Sequence, residues 1–204
     1  MLFNSITFVL FHFLFVGLYW ASPSQRLRQV LLLSSSVIFY GWYYWPALIL
    51  LGVSMVANYG FSRWIESSER KGGVLAVAVV ANLCSLGWFK YSKFVAENVV
   101  TILGGAGIEV GVPEMSYWLP LGISFYTFQI IGYLVDVRRG EVKAERSFLV
   151  FGVFKCFYAQ LVAGPIVRAK ELMPALREKQ VFEARNFQLG IYFFLAGLAI
   201  KICI

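Results

Sequence analysis

Gly122, Tyr126, Gln129, Tyr133 and Asp136 follow one another at steps of 4, 3, 4 and 3. That spacing puts all five on one face of a helix. Two phenols, an amide and a carboxylate on one stripe of an otherwise apolar helix are costly against lipid. The stripe must therefore face a partner helix, as packing glue, or a water-filled cavity that a substrate could enter. The single histidine, His12, sits in the middle of an apolar run. An imidazole there could carry a proton within a membrane, but without a positioned partner it makes no catalytic site. It is expected as a neutral ring hydrogen-bonded to a neighbouring helix. Nucleophile-elbow, phosphate-loop, zinc-protease and EF-hand patterns are all lacking. Cys84, Cys156 and Cys203 lie in apolar runs without a C-x-x-C pair and are expected as buried thiols.

The elements that must position these residues follow from the composition. Of 204 residues, 59% are hydrophobic and only 14% charged, against about 25% charged in soluble domains. A soluble domain of this size buries only about 70% of its chain's surface, too little to hide that much apolar area. A soluble globular domain, a disordered chain and a disulfide scaffold are thus excluded, and an all-α, polytopic helical membrane protein remains, with 1–204 forming one transmembrane unit. The net charge of +7 implies no nucleic-acid partner, because the basic residues sit between apolar runs, where a membrane topology places them.

Residues 5–21 read as a first span with its N-terminus outside. Residues 30–62 contain no charge, and one helix of that length would reach about 50 Å, beyond a hydrocarbon core of roughly 30 Å. The run must turn back, and Gly41-Trp42-Tyr43-Tyr44-Trp45-Pro46 marks the turn, leaving two short, tilted spans of 16–17 residues in a thinned bilayer. A basic loop at 63–73, an outward span at 74–89 and a separate interfacial piece at 94–112 are expected next. An acidic outer loop at 109–116 and an inward span at 117–137 come after them. The apolar segment 148–163 carries Lys155 and is followed by a strongly basic loop, so it is expected to be re-entrant. Ile166, Ala169, Leu172, Met173 and Leu176 then mark an amphipathic helix in the cytoplasmic interface. On this topology 14 of the 18 Lys and Arg are cytoplasmic. The final run, 187–204, stops without a polar flank, which reads as the N-terminal part of a larger protein.

Four ordered blocks carry a family likeness. They are Asn82-Leu83 through Gly87-Trp88-Phe89-Lys90-Tyr91, Leu119 through Gln129, Tyr133-Leu134-Val135-Asp136-Val137-Arg138-Arg139-Gly140, and Leu161-Val162-Ala163-Gly164-Pro165-Ile166-Val167-Arg168. Met1-Leu2-Phe3-Asn4-Ser5 and Ser36 through Trp42 add to them. In these blocks the chain resembles the membrane-bound O-acyltransferase family, in particular its bacterial branch of alginate and other polysaccharide O-acetyltransferases. The resemblance implies transfer of an acetyl group from a donor on the cytoplasmic side, acetyl-CoA or another acyl donor used as substrate, to a hydroxyl of an extracytoplasmic polysaccharide. It further implies a multi-pass protein of the bacterial inner membrane, in contact with lipid, no bound cofactor or metal, and an extracytoplasmic acetyltransferase or polysaccharide partner protein. The family's essential histidine and its partner would lie beyond residue 204, and His12 matches neither. This chain alone is then expected to be inactive, supplying tunnel wall and cytoplasmic entrance, with Tyr126, Gln129, Tyr133, Asp136, Lys155 and Arg168 as tunnel candidates. A transporter with Gln129, Asp136 and Lys155 along a permeation path, or an inactive subunit of the same fold, are the alternatives.

Overall fold

The computed structural model describes residues 5–105, 119–161, 164 and 167–203. Among them the regular elements are all helices: α1 (Ile6–Ala21), α2 (Gln25–Tyr43), α3 (Ala47–Ser67), α4 (Lys71–Gly105), α5 (Ile123–Arg139), α6 (Phe148–Cys156), α7 (Tyr158–Leu161), α8 (Ala169–Arg177) and α9 (Ala184–Cys203). Three starts are capped by serine hydroxyls that accept a backbone N–H three residues on: Ser5 from Phe8, Ser24 from Leu27 and Ser147 from Val150. The turn between α2 and α3 falls at Tyr44–Pro46, where the aromatic cluster places it. The two helices have 19 and 21 residues, longer than the uncharged stretches of 16–17 from which the spans are expected. Each helix runs past the uncharged stretch, α2 starting before Arg26 and α3 continuing through Arg63 and Glu66.

A correction concerns α4. The outward span and the described part of the interfacial piece, 94–105, are one helix of 35 residues, about 52 Å long. Lys90, Lys93 and Glu97 do not end it, because Lys93 and Glu97 pair across one turn at 3.8 Å, and the helix continues to Gly105, the last residue described there. Its packed stripe is Val74, Ala78, Asn82 and Leu86, at steps of four. Cys84 is off that stripe and exposed, against the expectation of a buried thiol, whereas Cys156 is buried. The expected loop at 109–116 and the side chain of Cys203 lie outside the described residues.

α3 and α4 are long and apolar enough to cross a membrane, and α1, 148–161 and 184–200 are apolar but shorter. Their outward faces carry large apolar side chains such as Ile49, Val53, Val56 and Val80. So much contiguous apolar exposure suits lipid and not water. The most enclosed element is α6, where every residue from Val150 to Cys156 is buried. Phe151, Val153 and Phe154 join a cluster with Ile130, Leu134 and Met173; Cys156 and Leu161 join one with Tyr40, Leu51 and Tyr126; and Tyr158 packs with Phe8, Phe11 and Phe39. The broken helix α6–α7 thus lies between α2, α3, α5 and α8.

The four basic segments meet at one end of this bundle. Gln25 and Gln29 donate to the Leu176 carbonyl at 2.7 and 2.8 Å, and Arg28 donates to that of Gln180 at 2.7 Å. Arg146 pairs with Glu66 at 3.0 Å. Arg177 donates twice to one carboxylate oxygen of the buried Glu145, whose other oxygen accepts the Ser147 N–H at 2.9 Å. Segments 22–29, 63–73, 138–147 and 167–186 therefore share a side, as their charge requires. α8 belongs to that end and buries Ala169, Met173 and Leu176, the apolar face expected of it.

Candidate functional site

α5 starts at Gly122, whose φ of 71° is left-handed. A Cβ there would stand 2.3 Å from the Leu161 carbonyl oxygen, so only glycine lets α5 begin against α7. The helix ends at Gly140, φ 76°, whose N–H closes on the Val137 carbonyl. Between these glycines, Tyr126, Gln129, Tyr133 and Asp136 are all buried, and Phe125 and Phe128 on the opposite face are exposed. Ile123, Ile130 and Leu134 are buried as well, so they meet other apolar helices and not lipid.

The helix break after Cys156 explains what Gln129 does. At Phe157 the chain leaves helical geometry, and the Tyr158 N–H, which would continue the ladder to Phe154, donates to Ser36 Oγ at 3.2 Å. The freed Phe154 carbonyl accepts from Gln129 Nε2 at 3.1 Å and from Gln160 Nε2 at 2.9 Å. A buried carbonyl left unpaired would cost about 1–3 kcal/mol. Two amides and a serine thus hold open a break that has neither proline nor glycine to mark it.

Four of the six candidates surround one cavity of about 280 Å³. Gln129, Tyr133 and Asp136 form its wall along α5, Gly132 leaves room beside them, and Arg139 and Arg168 flank it on the basic side. Asp136 is 7% exposed, lines this space, and has no ion pair or hydrogen bond to its carboxylate among the described residues. Tyr133 is anchored from behind, its hydroxyl accepting the Glu145 N–H at 2.8 Å. The first turn of α8 begins at Ala169 on the rim, adding unpaired N–H groups to the arginine charge. A space with one free carboxylate, two guanidinium groups and an amide can hold a polar or anionic molecule by hydrogen bonds.

Lys155 and Tyr126 belong elsewhere. Lys155 is 1% exposed and donates to Ser54 Oγ at 2.6 Å, with its ammonium 5.5 Å from the centre of the Tyr126 ring. From Ser54 a buried ladder continues. Asn58 Nδ2 donates to the Ser54 carbonyl at 2.8 Å and to Asn82 Oδ1 at 3.1 Å, and Asn82 Nδ2 returns a bond to Asn58 Oδ1 at 2.7 Å. This ladder ties α6 to α3 and α4. Ser54, Asn58 and Asn82 are not among the sequence candidates; the four-residue step from Ser54 to Asn58 within the uncharged stretch 30–62 is a signal for the first two alone. His12 is hydrogen-bonded to a neighbouring helix, as expected, its Nδ1 lying 2.9 Å from the Tyr158 hydroxyl. It stands apart from the Asp136 cavity and lines a different, apolar groove. Among the described residues no cluster of His, Cys, Asp and Glu could hold a metal ion.

The chain is similar along its whole length to several known proteins. It is 36% identical over its whole length to a probable alginate O-acetylase AlgI of Azotobacter vinelandii, covering 41% of that protein. A probable alginate O-acetylase AlgI of Pseudomonas aeruginosa is 35% identical over the whole chain, with 40% of it covered. A peptidoglycan O-acetyltransferase of Helicobacter pylori is 30% identical, again over the whole chain, with 44% covered. The chain thus spans about two fifths of the length of these relatives. No protein-family model matches it, and no solved structure does. Whole-chain similarity to proteins named as O-acetyltransferases bears out the likeness to the membrane-bound O-acyltransferases and their bacterial polysaccharide branch.

Proposed function

We propose that the protein is a multi-pass O-acyltransferase of the bacterial inner membrane that passes acetyl groups to an extracytoplasmic polysaccharide. The observation that carries this reading is the similarity along the whole chain to relatives named for acetylation of alginate and of peptidoglycan. In this reading the basic end is cytoplasmic, by the excess of Lys and Arg in its segments. Segment 148–163 is re-entrant: α6 has 9 residues and reaches only about 14 Å, and basic segments flank it on both sides at the same end.

The cavity beside Asp136 is then the donor-side mouth. Arg139 and Arg168 attract an acyl donor with anionic groups, acetyl-CoA or another, and Asp136 and Gln129 fix its polar portion by accepting and donating hydrogen bonds. The base that deprotonates the acceptor hydroxyl comes from outside these residues, since His12 is engaged by Tyr158 and lines a different space. An extracytoplasmic partner protein would receive the acetyl group or present the polymer.

The test is made in the full-length protein. Asp136→Asn keeps the shape of the side chain and removes its charge, so acetyl incorporation into polysaccharide should fall about tenfold, a loss near 1.4 kcal/mol, at unchanged membrane abundance. Gln129→Leu should lower activity and abundance together, because it also unpairs the Phe154 carbonyl. Full acetylation by Asp136→Asn would remove the cavity from the reaction.

A further inference from the structure

A second space in the molecule is unlike the Asp136 cavity. It is a groove of about 410 Å³ between α1, α2, α7 and α8, walled by side chains such as Phe15, Val16, Leu31 and Leu172. Its deep end is His12 with Tyr158, which bond to each other, and the faces of the imidazole are covered by Phe8 and Phe194. The deep end is therefore aromatic and offers an apolar occupant a floor. Its other end reaches Trp20 and Gln180 at the basic side of the bundle. There Arg28 is buried with its guanidinium 5.1 and 5.2 Å from the Tyr19 and Trp20 rings, and it donates to the Gln180 carbonyl. Arg26 and Lys179, next to these residues in the chain, are exposed.

The dimensions identify the occupant. His12 and Trp20 are eight residues apart on α1, so the groove runs about 12 Å along that helix, close to the roughly 15 Å depth of one leaflet's hydrocarbon. Its contents must be apolar along that length, narrow enough to lie between four helices, and anionic or strongly polar only where Arg28 stands beside Trp20 and Gln180, with Lys179 next in the chain. We propose that this groove is a specific site for one acyl chain of an anionic phospholipid, with the headgroup at the Arg28–Gln180 end and the chain directed towards His12 and Tyr158. The lipid would also hold the amphipathic α8 to α1 and α2, because α8 supplies one wall. The inference rests on the groove and is independent of acetyl transfer.

Native mass spectrometry of the full-length protein in mild detergent, titrated with phosphatidylglycerol or with phosphatidylcholine of the same chain length, tests it. One phosphatidylglycerol should be retained per chain, with phosphatidylcholine retained at least fivefold less. Ala175→Phe, which fills the groove from α8, should lower retention at least fivefold, and Lys179→Glu about threefold. Val53→Phe, on the outward face of α3, should leave it unchanged. Equal retention of the two lipids, or retention by Ala175→Phe equal to that of the unaltered protein, would overturn the proposal. A photoreactive side chain at position 16 gives a readout that does not depend on how Ala175→Phe folds: coupling to lipid supports the site, and coupling to another protein segment overturns it.

Discussion

Two places where the described residues bury polar side chains within the apolar bundle differ in one respect, whether the polar groups close on each other. Along Lys155, Ser54, Asn58 and Asn82, each group bonds its neighbour at 2.6–3.1 Å. At the cavity, Asp136 is nearly as deeply buried but has no partner for its carboxylate among the described residues. In lipid a polar group must be satisfied, and the closed ladder meets that need by joining three helices. At the open site the described residues leave that need unmet for Asp136. Burial alone therefore does not tell a closed polar network from an open one; the bonds of each group do.

Substitutions that act on one region and spare the other sharpen this contrast. The largest effect is expected at their junction. Gly122→Ala would set a Cβ against the Leu161 carbonyl at a left-handed φ, and it should cost at least about 3 kcal/mol. Little folded protein should survive thermal extraction in detergent, with both regions lost together.

Lys155→Met keeps the length of the side chain and removes the ladder's first donor. A loss of about 1–2 kcal/mol is expected, read as a lower midpoint in thermal unfolding, with acetyl transfer per folded molecule unchanged. A fall in specific activity at full stability would instead place Lys155 in the reaction and dissolve the distinction.

A smaller effect is expected from Arg177→Ala at the basic end. Its half-exposed guanidinium pairs with Glu145, which is 3% exposed at the side chain. The pair is partly screened, so about 1 kcal/mol is expected, measured as a lowered unfolding midpoint that added salt brings closer to that of the unaltered protein. No change in midpoint at low salt would mean that Glu145 is held by the Ser147 N–H alone.

Much of the bundle was legible in the sequence because its causes are local. Residues 5–21, the Trp45-Pro46 turn, the stripe of α5 and the amphipathic α8 all follow from periodicity, capping and charge. α4 was misread because Lys90, Lys93 and Glu97 looked like a membrane exit, when their spacing is also that of a helix face. The end of a membrane-crossing stretch need not be the end of a helix. The break at Phe157 had no local cause to find. It is fixed by Ser36, Gln129 and Gln160, two of which lie far away in sequence, and only the fold brings them to it. The same holds for the division of the six candidates. Helical spacing put Tyr126 and Asp136 on one face, but which of them meets a cavity depends on where α6 and the start of α8 come to lie.

The contrast between open and closed regions is tested most directly by thiol labelling in a full-length protein whose native cysteines have been replaced. Arg168→Cys should react quickly with a membrane-impermeant maleimide in inside-out vesicles and not in intact cells. Lys155→Cys should react from neither side, because its position is 1% exposed and sealed by the ladder. Labelling of residue 168 from outside would reverse the orientation of the basic end. Labelling of residue 155 at a rate like that of 168 would show that the two regions form one connected space, against the separation described here.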